Sequence, residues 1–251
     1  MDIDENIFEF DELKLLFRKN YVINDYITIF QPSIGDIIEY NEKKYYSMVS
    51  TLCSIPSDMK CMLWDMGINW NDLPDFELFV MLVKLFTPDK TRILFGDLDF
   101  SKFSPKENPK NGEIILYNSE VDNIIDSFMY HRIIGYIRKM HGFLSKPMKV
   151  KGAQAIAAVL ERDRIKIQEN KNKYQSSGLK NLISSMLVYP GFKYKSNELK
   201  QCGIYEFMDA VQRSQIFVSS SALMSGMYSG MIDVSKINKK ELNWMRDFNE
   251  N

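Results

Sequence analysis

From Ser214 to Ile232 the chain runs for 19 residues, "SQIFVSSSALMSGMYSGMI", without a charge. Such a run reads as a membrane span, a switch or part of a soluble packing unit. Six serines and Gln215 interrupt it, whereas a membrane helix needs about 20 predominantly apolar residues. No membrane span is therefore expected. The Gly226-x-x-x-Gly230 spacing instead suits close approach of another helix. With the preceding "GIYEFMDAVQR" the run reads as a final long helix or helix pair, and "NKKELNWMRDF" as a closing short helix.

The rest of the chain must supply what this unit packs against. Of 251 residues 45% are hydrophobic and 13% aromatic, enough to fill a core and to argue against disorder. Net charge is -1 but unevenly spread: residues 1–138 carry 14 basic and 23 acidic residues, whereas 139–200 carry 13 and 4. The basic middle segment reads as a solvated helical region, as an electrostatic match to the acidic N-terminal part, or as a nucleic-acid contact. Three cysteines, an odd number without a C-x-x-C pair, argue against a disulfide framework. The acidic start "MDIDENIFEFDE" lacks the basic end and apolar run of a signal peptide. Both point to a reducing cytoplasm.

Helical periodicity dominates. A short helix is expected over 9–19, a strand over 26–30, and a helix after "QPS" capped by Ser33 with Ile34, Ile37 and Ile38 on it. "KKYYSMVSTL" reads as a strand or the first part of a helix. Ser57 is expected to cap a helix ending at Gly67, and Pro74 to open one carrying Phe76, Phe79, Leu82, Val83 and Phe86. In 91–117, "RILF" and "EIILY" read as two strands of a β excursion with a long polar tip. Ser119 then caps a helix through Val121, Ile125, Ile133 and Ile137 to Gly142. A strong helix follows over 153–174, another over "SGLKNLISSMLVY", and "FKYKSNEL" is a loop or short strand. The fold class expected is mainly α-helical, with a small β-hairpin or minor β elements in the N-terminal half. Two units are expected: 1–145, acidic and mixed, and 146–251, helical with a basic first half.

Chemistry is hard to find in this sequence. His131 and His141 are the only histidines, and ten helical positions leave them about 80° apart. Cys53 and Cys61 lack zinc-ribbon spacing. "KVKGAQA" lacks the glycines and the Lys-Ser/Thr of a P-loop, and no nucleophile elbow, H-E-x-x-H or kinase set is present. No cofactor, metal or catalytic residue is assigned. Basic residues interleave with Phe143, Tyr174 and Tyr194, but Glu161, Asp163 and Glu169 weaken that field, and nucleic acid is the least supported partner. Fifteen methionines, among them Met224, Met227 and Met231, suit either core filling or a surface that grips a partner.

Two segments carry a family likeness. Pro32, Ser33, Gly35, Asp36 and Ile37 resemble the turn-and-helix opening of tail assembly chaperones from long-tailed phages of Gram-positive bacteria. Gly226, Tyr228, Gly230, Asp233, Ile237, Leu242 and Trp244 are similar to the glycine-containing helix, aspartate turn and tryptophan helix that close such proteins. The resemblance implies a non-catalytic protein of the host cell cytoplasm that binds a tail or tape-measure protein during virion morphogenesis. A virion structural subunit, a homo-oligomer of the tail or head–tail junction, is the alternative, and a nucleic-acid-binding protein the third. Candidate partner-binding residues are Phe79, Val83, Lys149, Lys151, Met224, Met227, Tyr228 and Trp244.

Overall fold

A computed structural model describes residues 9–109, 111–144, 146–172, 177–231, 235 and 237–247. The fold is mainly helical, with a small antiparallel hairpin in the N-terminal half. Helix α1 (Glu12–Leu16) leads to that hairpin, β1 (Tyr21–Val22) and β2 (Thr28–Ile29), in which Tyr21 pairs with Ile29. Next come α2 (Ile34–Tyr40), α3 (Glu42–Leu52), α4 (Lys60–Asp65), α5 (Asp75–Leu82) and α6 (Pro88–Phe95). A three-stranded antiparallel sheet then forms from β3 (Ser104–Glu107), β4 (Ile114–Asn118) and β5 (Asn123–Ile125). The remainder is helical: α7 (Ser127–His141), α8 (Ala153–Asn172), α9 (Gly178–Val188), α10 (Ser196–Leu199) and the 25-residue α11 (Ile204–Tyr228). A 3₁₀ turn follows at Lys239–Leu242.

The turn at 32–36 shows how sequence becomes architecture. Ser33 Oγ accepts the Asp36 amide (3.1 Å), and the Asp36 carboxylate accepts the Ser33 amide (2.8 Å). Two otherwise unpaired N-terminal donors of α2 are thus satisfied reciprocally. Arg18 ties this corner to its surroundings. It donates to the Asp36 carboxylate (2.7 Å) and to the carbonyls of Gln31 (2.8 Å) and Gln201 (3.4 Å). Across the corner, the amides of Ile34 and Gly35 donate to the carbonyls of Cys202 (2.9 Å) and Lys200 (2.8 Å), and the Ile204 amide returns to Pro32 (3.1 Å). The start of α11 is therefore stitched to the start of α2, far away in sequence. A Cβ on Gly35 would stand 2.8 Å from the Lys200 carbonyl oxygen, so the glycine is required by close backbone approach.

One buried cluster runs through the molecule. It holds Leu15, Ile37, Tyr45, Phe79, Val83, Phe100, Tyr130 and Ile137, and continues through Leu160, Leu179, Met186, Leu199, Ile204, Phe207 and Val211. Rings of Phe79, Phe86, Phe95, Phe100 and Tyr130 meet at centroid distances of 4.8–6.5 Å, several of them edge-on, the geometry that aromatic quadrupoles favour. The core is continuous across position 145.

Four readings of local structure need correction. "RILF" is not a strand but the end of α6: Pro88 occupies the first helical turn and Gly96, at φ +60°, stops it. The true partner of "EIILY" is Ser104–Glu107, fully exposed and polar, so no hydrophobic alternation announces it. Ser119 caps nothing. Residues 123–125 form β5, and α7 begins at Ser127 with Asp126 accepting the Met129 amide (2.8 Å). Ser57 likewise lies in a short 3₁₀ turn, Pro56–Asp58, before α4 starts at Lys60. The segment read as a loop or strand at 192–199 contains α10. "KKYYSMVSTL", left open, is helical throughout as part of α3.

Candidate partner-binding surface

α11 is anchored at one end and bare at the other. Its first half buries Ile204, Phe207, Val211 and Ile216. Beyond these, Ser220 is buried, and the segment 238–247 doubles back beside the helix. The Ser220 hydroxyl donates to the Glu241 carbonyl (2.7 Å). Arg246 Nη1 donates to Ser220 Oγ (2.9 Å) and to the carbonyls of Glu241 (2.7 Å) and Asn243 (3.2 Å). From the helix, Arg213 Nη1 donates to the Arg246 carbonyl (2.7 Å) and its Nε pairs with Asp209 (3.6 Å). Burial raises the Asp209 carboxyl, with Arg213 opposing that shift. Two arginines and one serine thus hold a returning strand of chain that has no regular backbone ladder of its own.

This doubling-back sets an apolar surface. Trp244 stands edge-on to Phe217, centroids 6.0 Å apart at 88°, and both remain about half exposed. Phe217, Met224 and Tyr228 lie seven and four positions apart, on one stripe of α11. Past the returning segment the end of the helix and the turn after it stand clear: Tyr228 is 89% exposed and Met231, beyond the helix, 85%. Val218 and Met245 add to the same exposed set.

The sequence-derived candidates divide accordingly. Met224 and Met227 are half-buried on α11, Tyr228 is exposed at its end, and Trp244 stands against Phe217. Phe79 and Val83, at 3% and 1% exposure, are inside the aromatic core, where only unfolding would bring them to a partner. Lys149 and Lys151 are exposed in the segment leading to α8, which is pinned to Trp70 and Asn71 rather than to α11. Of the residues carrying the family likeness, Ser33, Gly35 and Asp36 have the folding roles given above, and Asp233 lies outside the described residues. Phe217, Val218 and Met245 were not singled out from sequence. Phe217 and Val218 belong to the same charge-free run and Met245 to the closing segment, but only the fold shows which of their apolar residues stay outside.

Several interior polar groups are held within the fold. His141 Nδ1 lies 2.7 Å from the Ile137 carbonyl, which can only accept, so Nδ1 carries the proton and Nε2 accepts the Tyr45 hydroxyl at 2.6 Å. Burial pushes the imidazole down to about 4 and raises the Tyr45 phenol well above its ordinary range. Arg138 donates to the Cys53 carbonyl (2.7 Å), and burial lowers it to about 10. Burial also raises the Cys53 thiol, a direction opposite to that of an activated nucleophile. Among the described residues no cluster of three or more His, Cys, Asp or Glu is placed to hold a metal, and no helix is long and apolar enough to cross a membrane.

Two shallow troughs meet at Tyr40 and Asp89. One, of about 1080 Å³, is lined by Arg18, Phe30, Asp36, Glu39 and Arg92; the other, of about 900 Å³, by Lys43, Lys44, Met48, Leu85 and Lys90. Several of their cations are engaged within the fold: Arg18 as described, Arg92 with Asp97 (2.6 Å) and Lys90 with the Leu85 carbonyl (3.1 Å).

Comparison with known proteins adds no relative: no protein family, curated protein or solved structure matches the chain.

Proposed function

We propose that the protein is a non-catalytic binding protein that holds a larger assembly partner through the outer end of α11 and the returning segment. The observation that carries this reading is the exposure of Phe217 and Tyr228 on α11, Met231 just past it, and Trp244 and Met245 on the returning segment, beside a helix whose inner half is firmly anchored. Exposed apolar side chains grouped in this way mark interaction surfaces, and flexible methionines suit a surface that adapts to its partner. The resemblance of 226–244 to the closing segment of phage tail assembly chaperones makes a tail or tape-measure protein the proposed partner, bound in the host cytoplasm before it polymerises. Under this reading the basic segment 139–200 supplies electrostatic choice of partner.

The test is co-expression of the tagged chain with the products of the neighbouring genes, followed by mass spectrometry of purified particles. Co-purification of one large partner, with the chain absent from finished particles, supports the chaperone reading. Stoichiometric presence in the particle assigns the chain to the virion structure instead. Failure to capture any neighbouring product contradicts both.

A further inference from the structure

Helix α8 touches the body along one narrow stripe. Leu160 is its buried residue, at 3% exposure; Ile156, Val159 and Asp163 are half-buried, and its other described side chains are exposed. These four fall at spacings of three, one and three, a single line down one helix face. Opposite them stands α4. Lys60 Nζ bridges the Asp163 carboxylate (3.0 Å) and the Ser57 carbonyl (3.1 Å). The Cys61 thiol lies against Asp163 (3.5 Å) and the Leu160 carbonyl (3.7 Å), and Arg164 pairs with Asp65.

The chain leading into α8 is held differently. Trp70 Nε1 donates to the Met148 carbonyl (3.3 Å), and Asn71 both donates to the Val150 carbonyl (3.1 Å) and accepts its amide (2.8 Å). Between this double bond and the helix stands Gly152, at φ +91° and with open space around it. A firm anchor, a glycine in the left-handed region and a long, lightly attached helix therefore follow one another in sequence.

We infer that α8 is a hinged strap: it lifts off α4 as one unit, pivoting at Gly152, and bares Lys60 and Cys61, while Val150 stays bonded to Asn71, Ser177 and Leu179 stay bonded to Glu42, and the rest of the fold stays closed. Opening leaves the helix's internal hydrogen bonds intact. It gives up one stripe of apolar contact, the Lys60–Asp163 and Arg164–Asp65 ion pairs and the contacts of the Cys61 thiol, a small cost beside that of opening the core. Cys53, beside the Arg138 guanidinium, and Cys202, at the start of α11, are buried in the same cluster as Cys61 and serve as reference thiols. Added salt weakens the ion pairs and favours the open form.

The experiment is pulse labelling of the native protein with iodoacetamide, with each cysteine read by peptide mass spectrometry beside hydrogen exchange over 153–170. Cys61 is expected to label faster than Cys53 and Cys202, and faster still as sodium chloride rises from about 0.05 to about 0.5 M. Leu160→Ala removes apolar contact while keeping Asp163 and the main-chain carbonyl that the thiol lies against. It is expected to raise Cys61 labelling and α8 exchange together by about tenfold or more, leaving the other two cysteines unchanged. Asp163→Asn is expected to do the same to α8 exchange, a readout independent of any change in the thiol itself. Labelling of all three cysteines at one rate, or α8 exchange that follows the core in both variants, overturns the strap.

Discussion

The Tyr45 hydroxyl donates to Nε2 of His141 across 2.6 Å of fully buried core, while Nδ1 of the same ring is held by the Ile137 carbonyl. Both nitrogens are committed to one neutral tautomer, and a second proton would have to displace the tyrosine. Burial accordingly lowers the imidazole from about 6.5 to about 4.

A defined pH dependence follows. Below about pH 6.5 the unfolded chain takes up a proton at this histidine that the folded chain refuses until about pH 4. The contribution of His141 is therefore fully present above 6.5, is lost as pH falls towards 4, and levels off below. Over the whole window the loss is about 3 kcal/mol. Urea midpoints of the parent and of His141→Gln, taken from pH 7.5 to 4, should converge as pH falls. Parallel curves would show that the histidine is not held neutral.

Two glycines should respond in opposite directions to the same change. Gly35→Ala drives a Cβ into the Lys200 carbonyl oxygen at 2.8 Å and should cost about 1–3 kcal/mol. Gly178→Ala, in the first turn of α9 with open space around it, should stabilise by about 0.4–1 kcal/mol by restricting the unfolded chain. Thermal or urea unfolding of the two variants measures both. Equal effects would contradict the packing described at the α2–α11 corner.

Two aromatic candidates separate in the same way. Phe79→Ala empties a site among Phe86, Phe100 and Tyr130 and should cost about 3–5 kcal/mol. Trp244, half exposed against Phe217, should cost about 1 kcal/mol when truncated. A large loss at Trp244 in equilibrium unfolding would mean that the returning segment belongs to the core rather than to the surface.

The basic residues at 149 and 151 should be nearly silent in stability. Both are exposed, and replacing Lys149 and Lys151 together by alanine should shift unfolding by less than about 0.5 kcal/mol each. If they choose the partner electrostatically, the variant weakens capture at low salt and matches the parent at high salt. Equal capture at every ionic strength removes that role.

Helix stops and caps were legible in part, because they rest on local chemistry. Ser33, Pro74 and Gly142 each do what their residue type and place in the pattern announce, whereas Ser57 and Ser119 do not cap the helices expected of them. The sheet was only partly legible. Ser104–Glu107 is exposed throughout and pairs because Ile114–Asn118 supplies the buried face; burial on one strand leaves no periodicity on the other. "RILF" misled because a buried helix and a buried strand share an apolar run, and only Pro88 and Gly96 decide between them. The candidate surface was half legible: the charge-free run marks α11, yet Phe79 and Met227 carry equal apolar weight in sequence. Their burial differs because Phe79 meets three other rings, whereas α11 outruns the body it packs on.

The most direct measurement is the light-scattering mass of the protein co-expressed with the neighbouring genes' products, for the parent and for Tyr228→Ser/Met231→Ser. The two side chains are almost fully exposed, so the variant should fold as the parent does, confirmed by an unchanged melting curve. The account predicts a discrete complex of this chain with one large partner for the parent, and free protein for the variant. A complex of unchanged mass in the variant, or a closed homo-oligomer indifferent to both substitutions, would contradict the claim that the outer end of α11 holds the partner.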